Sequence, residues 1–369
     1  MFDKEAWALV PFDFWALTFF VYGCIFGSLL NVIIYRVPLG QSIVSPRSHC
    51  PKCQKLIPWY YNIPIISWLQ LKGRCAFCGT PISIRYFLVE FLTGVVYMTS
   101  WVSFGDQSAM LAIIYCVLFS GFIVATFIDF EHFIIPDEIT FGGMVVGFLA
   151  AAAFPVLHGA ASRPDSIKES AIGMAVGGGL VYAILRGGKL LFGRKTLEME
   201  HDSKLIFTET DLHLPGQVVP FEDIFYRKSD TIVFHAKKLE LVDRCYKDVL
   251  VRLRPDTLEV DDEKMNPEDV PHMEAVTDKV VLPQEAMGLG DVKFMAAIGA
   301  FIGWPGVVFS LMVSSIIGSI VGVSLVLMRK QEWSSRLPYG PYIAIAATIW
   351  VFKQAEIMAW WRGATEPPM

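Results

Sequence analysis

The sequence predicts an all-α polytopic membrane protein with about eight transmembrane helices and two cytoplasmic additions, a cysteine-rich loop domain and a β-rich insertion. Of its 369 residues 54% are hydrophobic and 18% charged, and the mean hydropathy is +0.47. A soluble domain carries about 25% charged residues. The charge is also concentrated, because 36 of the 67 charged residues lie between Arg186 and Glu285. This composition excludes freely soluble, disordered and collagen-like proteins.

The transmembrane prediction comes from apolar segments, since crossing the hydrocarbon core takes about 20 apolar residues in a helix. Eight segments are candidates: roughly 11–34, 86–104, 109–128, 139–156, 169–185, 292–304, 306–328 and 339–353. Basic residues accumulate in cytoplasmic loops. Residues 36–89 contain seven Lys or Arg and no acidic residue, which places this loop in the cytoplasm. With eight crossings, both termini then lie outside.

The chain divides into five predicted regions. Two soluble segments of different character interrupt the series of crossings. The segment 187–284 mixes β-branched and aromatic residues in short runs, which favours strands, and its acidic stretch 256–274 is interpreted as a flexible linker. The regions are 1–35 (N-terminus and first helix), 36–85 (cysteine loop), 86–186 (helices two to five), 187–284 (insertion) and 285–369 (helices six to eight and the C-terminal tail).

Two C-x-x-C pairs in the first loop predict a structural zinc site. The ligands are Cys50, Cys53, Cys75 and Cys78, and this spacing is typical of a zinc ribbon. Four thiolates complete a tetrahedral site with no open position for water, so the metal supports folding and not catalysis. The alternative is a disulfide pair, which requires an oxidising compartment. The basic loop argues for the reducing cytoplasm instead.

Two aspartates at the ends of apolar spans are the candidate catalytic residues. Asp129 ends the third span and Asp291 precedes the sixth. A carboxylate at membrane depth is costly and indicates function. If the two meet, they share a proton, so that one acts as a base towards water and the other as an acid, as in aspartic proteases. The alternatives are that Asp291 is only a helix N-cap and that Asp129 only ends a helix in water.

Two glycines adjoin the second aspartate in Gly288-Leu289-Gly290-Asp291. Without side chains they allow unusual backbone angles and the close approach of another chain. An extended substrate can pair its backbone there by strand addition. Gly288 and Gly290 are therefore predicted to lie where the substrate backbone approaches.

Several segments together closely resemble the bacterial prepilin peptidases, also called type IV leader peptidases. The resemblance covers about residues 10–186 and 283–353. It rests on residues 27–38 of the first span, residues 62–69 and 73–75 of the cysteine loop with Glu90, Asp129 with Pro136-Asp137, the glycine–aspartate segment, and Pro338-Tyr339-Gly340-Pro341.

This resemblance implies an inner-membrane aspartic endopeptidase with Asp129 and Asp291 as its catalytic pair. Its substrates are type IV prepilins or type II secretion pseudopilins, cut after a glycine on the cytoplasmic side. It also implies N-methylation of the new N-terminus from S-adenosylmethionine, zinc held by the four cysteines, and contact with the pilus or secretion assembly machinery. No basic excess indicates a nucleic-acid partner.

The sequence departs from this family in the insertion of nearly 100 residues before the glycine–aspartate segment. Two other functions remain open at this point. The aspartates are also compatible with an ion- or proton-coupled transporter carrying a regulatory zinc loop, although inverted repeats are not evident. A membrane aspartic protease of other helical substrates is the second. The sequence is also compatible with an inactive assembly scaffold, which has no catalytic function.

Overall fold

The membrane part of the protein is a bundle of helices. The computed structural model describes residues 11–192, 194–215, 217–221, 224–225, 230–283, 288–328 and 337–365. Its helices are α1 (Phe12–Arg36), α2 (Ile66–Gln70), α3 (Ile84–Phe104), α4 (Ala109–His132), α5 (Asp137–Ala153), α6 (Arg163–Phe192), α7 (Leu289–Leu327) and α8 (Gly340–Thr365). Within the described residues, six helices are long and apolar enough to cross a membrane: α1, α3, α4, α6, α7 and α8. The chain is therefore a multi-pass membrane protein.

Helix length and composition identify six crossings among the described residues and not the expected eight, for two reasons. Helix α5 has 17 residues, or about 26 Å at 1.5 Å per residue, against about 30 Å of hydrocarbon. The predicted spans 292–304 and 306–328 both fall within the 39 residues of α7. The all-α description is also incomplete, because the insertion is a sheet.

Helix α7 is interrupted at Gly303, whose φ of 69° and ψ of 177° are not helical. Pro305, two residues later, has no N–H to donate. The carbonyl of Ala300 is not left unpaired, because the Ser170 hydroxyl donates to it at 3.0 Å and Nε2 of His158 lies 3.2 Å from it. Side chains from α6 and from the segment before it thus pair one carbonyl group beside the interruption.

The two arms of α7 both return to the start of α8. A side chain at Gly318, in the second arm, would lie 3.3 Å from the ring of Tyr342. Gly290, in the first arm, packs on Ile135, which also contacts Gly340. A straight helix would separate residues 290 and 318 by about 40 Å. The second arm therefore runs back towards the end where the first arm begins.

Small residues let the helix backbones pack closely, as is usual in membrane bundles. A Cβ atom on Gly27 of α1 would lie 2.7 Å from Cα of Glu90 in α3, and one on Gly23 would lie 2.7 Å from the carbonyl oxygen of Thr93. The closest approach joins α6 to α7, where a Cβ on Gly173 would lie 2.1 Å from the carbonyl oxygen of Gly299. Any larger side chain at these positions would force the helices apart.

The insertion folds as one antiparallel sheet, which confirms the prediction of a β-rich segment. Its described strands follow the order β3-β2-β1-β8-β4-β5-β6-β7. They are β1 (Arg194–Phe207), β2 (Asp211–Leu214), β3 (Gln217–Pro220), β4 (Ile232–Leu241), β5 (Cys245–Arg254), β6 (Thr257–Val260), β7 (Glu263–Met265) and β8 (Met273–Pro283). A core that includes Leu205, Phe234 and Val251 is almost fully buried. The interpretation of 256–274 as a flexible linker is wrong, since this stretch contains β6 and β7.

The chain separates into two compact units. One consists of Met1–Tyr182 and Gly288–Met369, and the other of Ala183–Met287. The first unit contains the cysteine loop and both candidate aspartates. The second contains the sheet and the last turns of α6.

Candidate active site

Asp129 lies in the last turn of α4 and is buried, with 5% of its surface exposed. Its Oδ2 accepts a hydrogen bond of 2.8 Å from the backbone N–H of Gly340, the first residue of α8. Helix α4 ends three residues later, where Phe133 adopts a φ of 54° and its N–H donates to the carbonyl of Asp129. The carboxylate is therefore held inside the bundle by a neighbouring helix start and does not face water at a helix end.

Asp291 lies in the first turn of α7 and is also buried, with 8% exposed. Its Oδ2 accepts a 3.2 Å hydrogen bond from the N–H of Gly288, which is the N-cap residue. Asp291 thus occupies the third helical position and pairs the N–H of the N-cap residue, which is one of the two hydrogen bonds of a capping box. The alternative that Asp291 is the N-cap itself is wrong.

The two aspartates meet around one apolar side chain. Ile135, in the loop between α4 and α5, packs against Gly290, where a Cβ would lie 3.3 Å from its own Cβ. The same side chain contacts Gly340, which holds Asp129. Ile135 thus connects the residues next to the two aspartates and places both buried carboxyl groups in one region of the helical unit.

The two glycines have different surroundings, and neither is needed for an unusual backbone angle. Gly288 has an extended conformation with φ −76°, which any residue adopts. Among the described residues, a side chain on it would contact Asp291 and the backbone of Gly290. Gly290 by contrast packs directly on Ile135. Close approach, and not conformational freedom, is thus the reason for a small residue at 290, whereas Gly288 is exposed.

Two features of the site were not assigned roles by sequence reasoning. Ile135 carried no polar signal, and Gly340 was present only as part of the segment 338–341. A third feature is the partner of Lys293, which is Asp137 at 2.6 Å and not either candidate aspartate. This ion pair joins the start of α7 to the first residue of α5, which directly follows the loop that carries Ile135.

The four loop cysteines form one cluster that can hold a metal ion. The sulfur atoms of Cys50, Cys53, Cys75 and Cys78 all lie within 4.8 Å of one another. Each pair sits in the same kind of turn. The N–H of Gln54 donates to the carbonyl of Cys50, and that of Gly79 donates to the carbonyl of Cys75. The residue after each pair has a positive φ, 59° at Gln54 and 69° at Gly79.

The electrostatics divide this cluster: Cys50 and Cys78 are shifted towards the thiolate, the form that binds metals. For Cys53, a backbone hydrogen bond at Lys55 lowers the pKa, but desolvation and hydrogen bonds with the other three thiols outweigh it and raise the pKa to about 11. The backbone N–H groups of Cys53 and Lys52 lower the pKa of Cys50. A side-chain hydrogen bond with Thr80 lowers the pKa of Cys78 to about 6. The sulfur atoms of Cys50 and Cys78 are 3.8 Å apart. A tetrahedral zinc ion with bonds of about 2.3 Å places its sulfur ligands about 3.8 Å apart, so the donor set fits zinc.

A multi-pass membrane protein with a buried carboxyl pair at the ends of two helices has the site of a membrane-embedded peptidase. Two family models match the chain, and together they cover more than half of it. The Bacterial Peptidase A24 N-terminal domain matches residues 21–104, and the Type IV leader peptidase family matches residues 116–197 and 275–323. The second match includes Asp129 and Asp291 and omits 198–274. The chain belongs to the type IV leader peptidase family.

Curated relatives agree with this assignment. A "Prepilin leader peptidase/N-methyltransferase" of Myxococcus xanthus is 44% identical over 162 residues, which is 44% of this chain and 45% of that protein. One of Aeromonas hydrophila is 26% identical over 380 residues, covering 95% of each chain. A "Type 4 prepilin-like proteins leader peptide-processing enzyme" of Escherichia coli O78:H11 is 36% identical over 173 residues, 42% of this chain and 61% of that protein. No solved structure matches the chain.

Proposed function

We propose that the protein is an aspartic endopeptidase that removes the leader peptide of type IV prepilins or type II secretion pseudopilins. The observation that carries this proposal is the shared contact of Ile135 with the glycines beside Asp129 and Asp291. It brings two buried carboxyl groups, distant in sequence, to one site. The names of the relatives supply the substrate class.

In the proposed mechanism Asp129 and Asp291 share one proton. The ionised carboxylate takes a proton from a water molecule, which attacks the carbonyl carbon of the leader glycine. The protonated carboxyl group donates to the carbonyl oxygen, and a proton then passes to the leaving amine. The exposed Gly288 gives an extended substrate a place to pair.

The proposed topology has eight crossings in the bacterial inner membrane, with both termini outside. It counts the two arms of α7 separately and includes the short α5. Two facts support it: the second arm of α7 returns to the start of α8, and 17 residues is at the lower limit for a crossing. Asp129, Asp291 and the cysteine loop then face the cytoplasm.

The four cysteines are proposed to bind one structural zinc ion. The ion would close the loop between α1 and α3, which has little apolar core of its own, and its binding energy would become folding energy. Four sulfur ligands leave no position for a water molecule. The zinc therefore takes no part in the cleavage step.

N-methylation of the new N-terminus is proposed as a second activity, on the names of the relatives. S-adenosylmethionine supplies the methyl group when bound. A buried oxygen with no hydrogen-bond partner, Oδ1 of Asn31, lies in the domain outside the peptidase match and fits a cationic reactant. In this step the residues of the protein would hold the amine that receives the methyl group.

The proposal is tested with Asp129→Asn and Asp291→Asn in the full-length protein in detergent. Both variants keep the shape of the side chain, so we expect them to fold and insert while cleavage of a prepilin is lost. Mass spectrometry of the substrate reports cleavage, its position and methylation together. Normal cleavage by either variant would contradict the catalytic pair.

A further inference from the structure

The interface between α1 and α3 contains buried polar side chains that the cleavage mechanism does not use. Asn31 is 1% exposed and Glu90 is 8% exposed, and Ser28 lies one turn before Asn31. All three fall within the N-terminal domain match, whereas Asp129 and Asp291 fall within the peptidase match. A buried carboxylate in a membrane helix is costly and indicates function.

The carboxylate of Glu90 holds a strained loop. It accepts a hydrogen bond of 2.7 Å from the N–H of Ile65 and another from Ser28. Ile65 has a φ of 63° and a ψ of −55°, a conformation that is unfavourable for a β-branched residue. The N–H of Ile66 donates to the carbonyl of Pro64 across this tight turn. Strain of this kind concentrates at functional sites.

The side chain of Asn31 lies beside the same turn of α3. Its Nδ2 donates at 3.0 Å to the carbonyl of Tyr86, one turn before Glu90. Its Oδ1 is buried and has no hydrogen-bond partner. Native proteins rarely leave a buried acceptor unpaired, and each such group calls for an explanation.

The cluster therefore has more acceptors than donors. A carboxylate offers about four acceptor sites, and Glu90 uses two. Within the described part of the chain, no ion pair to Glu90 is found. The partner that satisfies this set is a small cation with several N–H donors. A primary ammonium group has three such donors and one positive charge.

We propose that Glu90 and Asn31 bind the ammonium group of the new N-terminus after cleavage and that the Glu90 carboxylate takes one of its protons. The nitrogen lone pair freed in this way forms the bond to the methyl group of S-adenosylmethionine, whose carbon–sulfur bond breaks to release S-adenosylhomocysteine. This inference rests on the proposed function. It places the second activity in the α1–α3 interface, apart from the carboxyl pair. Glu90 would supply the negative charge and Asn31 a hydrogen-bond acceptor.

The first test measures binding of a short peptide that starts at the cleavage point and carries a dye at its C-terminus. The full-length protein in detergent is titrated against the peptide with a free N-terminus and against its N-acetylated form. We expect the free amine to bind at least about tenfold more tightly, because charge-assisted hydrogen bonds are the strong ones. Equal affinities for the two peptides would overturn the proposal.

The second test uses Glu90→Gln, in which the amide oxygen still accepts from Ile65. We expect this variant to cleave a prepilin normally, to lose methylation, and to bind the two peptides equally. The matched control is Glu356→Gln, on Glu356 in α8, which is 70% exposed and paired with Lys353, and it should leave all three properties unchanged. Preserved methylation in Glu90→Gln would overturn the proposal.

A third variant separates this proposal from folding effects and from the proposed peptidase. If Glu90→Gln also loses cleavage, Asn31→Leu decides, since it removes the unpaired oxygen and leaves the loop contact of Glu90. If Asn31→Leu binds the free and the N-acetylated peptide with equal affinity, the amine site is supported. If it still binds the free peptide as much more tightly as the unaltered protein does, the proposal is overturned. Absence of cleavage in the unaltered protein refutes the peptidase, whereas cleavage without methylation refutes only the amine site.

Discussion

At the scale of single residues, the site depends on two glycines that pack closely, Gly340 and Gly290. Gly340 donates its N–H to Asp129, and a Cβ there would lie 2.9 Å from the accepting oxygen. Both aspartates were predictable from the sequence, because charge in an apolar span stands out. The contacts of Gly340 and Ile135 were not, since they join segments about 200 residues apart and leave no local pattern.

We expect Gly340→Ala to fold and insert but to cleave prepilin with a kcat about 10- to 100-fold lower. The added methyl group would displace the Asp129 carboxylate, and a displacement of about 1 Å in a catalytic group has effects of this size. Steady-state kinetics on a purified prepilin measure the change.

The matched control is Gly142→Ala in α5, where an added Cβ meets nothing within 4 Å. This variant should keep the kcat of the unaltered protein. A Gly340→Ala enzyme as fast as this control would show that the contact with Asp129 does not position the carboxylate.

At the scale of elements, apolar runs predicted most of the long helices and the cysteine spacing predicted the four-cysteine cluster, whereas charge was misleading. Strands β4 and β5 follow β-branched runs that the sequence shows plainly. The acidic composition of 256–274 predicts a linker, yet β6 and β7 lie there at one edge of the sheet. Edge strands carry charged residues because these discourage pairing with other chains. High charge therefore did not exclude a strand.

We expect Cys50→Ser together with Cys53→Ser to lose bound zinc and to lower the thermal stability of the loop domain. Two ligands are then missing, and metal binding supplies much of the folding energy of such a domain. Some peptidase activity should survive. Metal analysis and thermal unfolding measure the two effects.

The control for the cysteine variant is Cys245→Ser, at an exposed position in β5. It should keep one equivalent of zinc. If the double variant also kept one equivalent, the four-sulfur site would be excluded.

The ion pair between Lys293 and Asp137 connects α7 to α5 and holds the loop that carries Ile135 in place. We expect Lys293→Asp and Asp137→Lys each to lower kcat/KM several-fold, since like charges then face each other. The double exchange should recover part of the loss. Exposed pairs couple by about 0.2–1 kcal/mol, and a double-mutant cycle measures this energy. Losses that simply add in the double variant would show that the pair is not coupled.

At the scale of the whole molecule, two compact units with separate cores should unfold separately. Phe234 is 2% exposed in the sheet and stacks on Phe207 at 5.3 Å. We expect Phe234→Ala to destabilise the sheet by about 3–5 kcal/mol and to leave the unfolding of the helical unit unchanged. Scanning calorimetry of the detergent-solubilised protein measures both transitions.

The comparison variant is Val242→Ala, because Val242 is 73% exposed. Its effect should stay within about 0.5 kcal/mol. A single shared transition that shifts as a whole with Phe234→Ala would mean that the two units unfold together.

The pairing of β1 with β8 explains how a helical enzyme accommodates some hundred additional residues. Arg194 and Pro283 are partners in this ladder, so the insertion starts and finishes on adjacent strands, about 5 Å apart. Both ends of the insertion thus lie at the same place in its own sheet, which is the property that allows a domain to be inserted at one point of another chain.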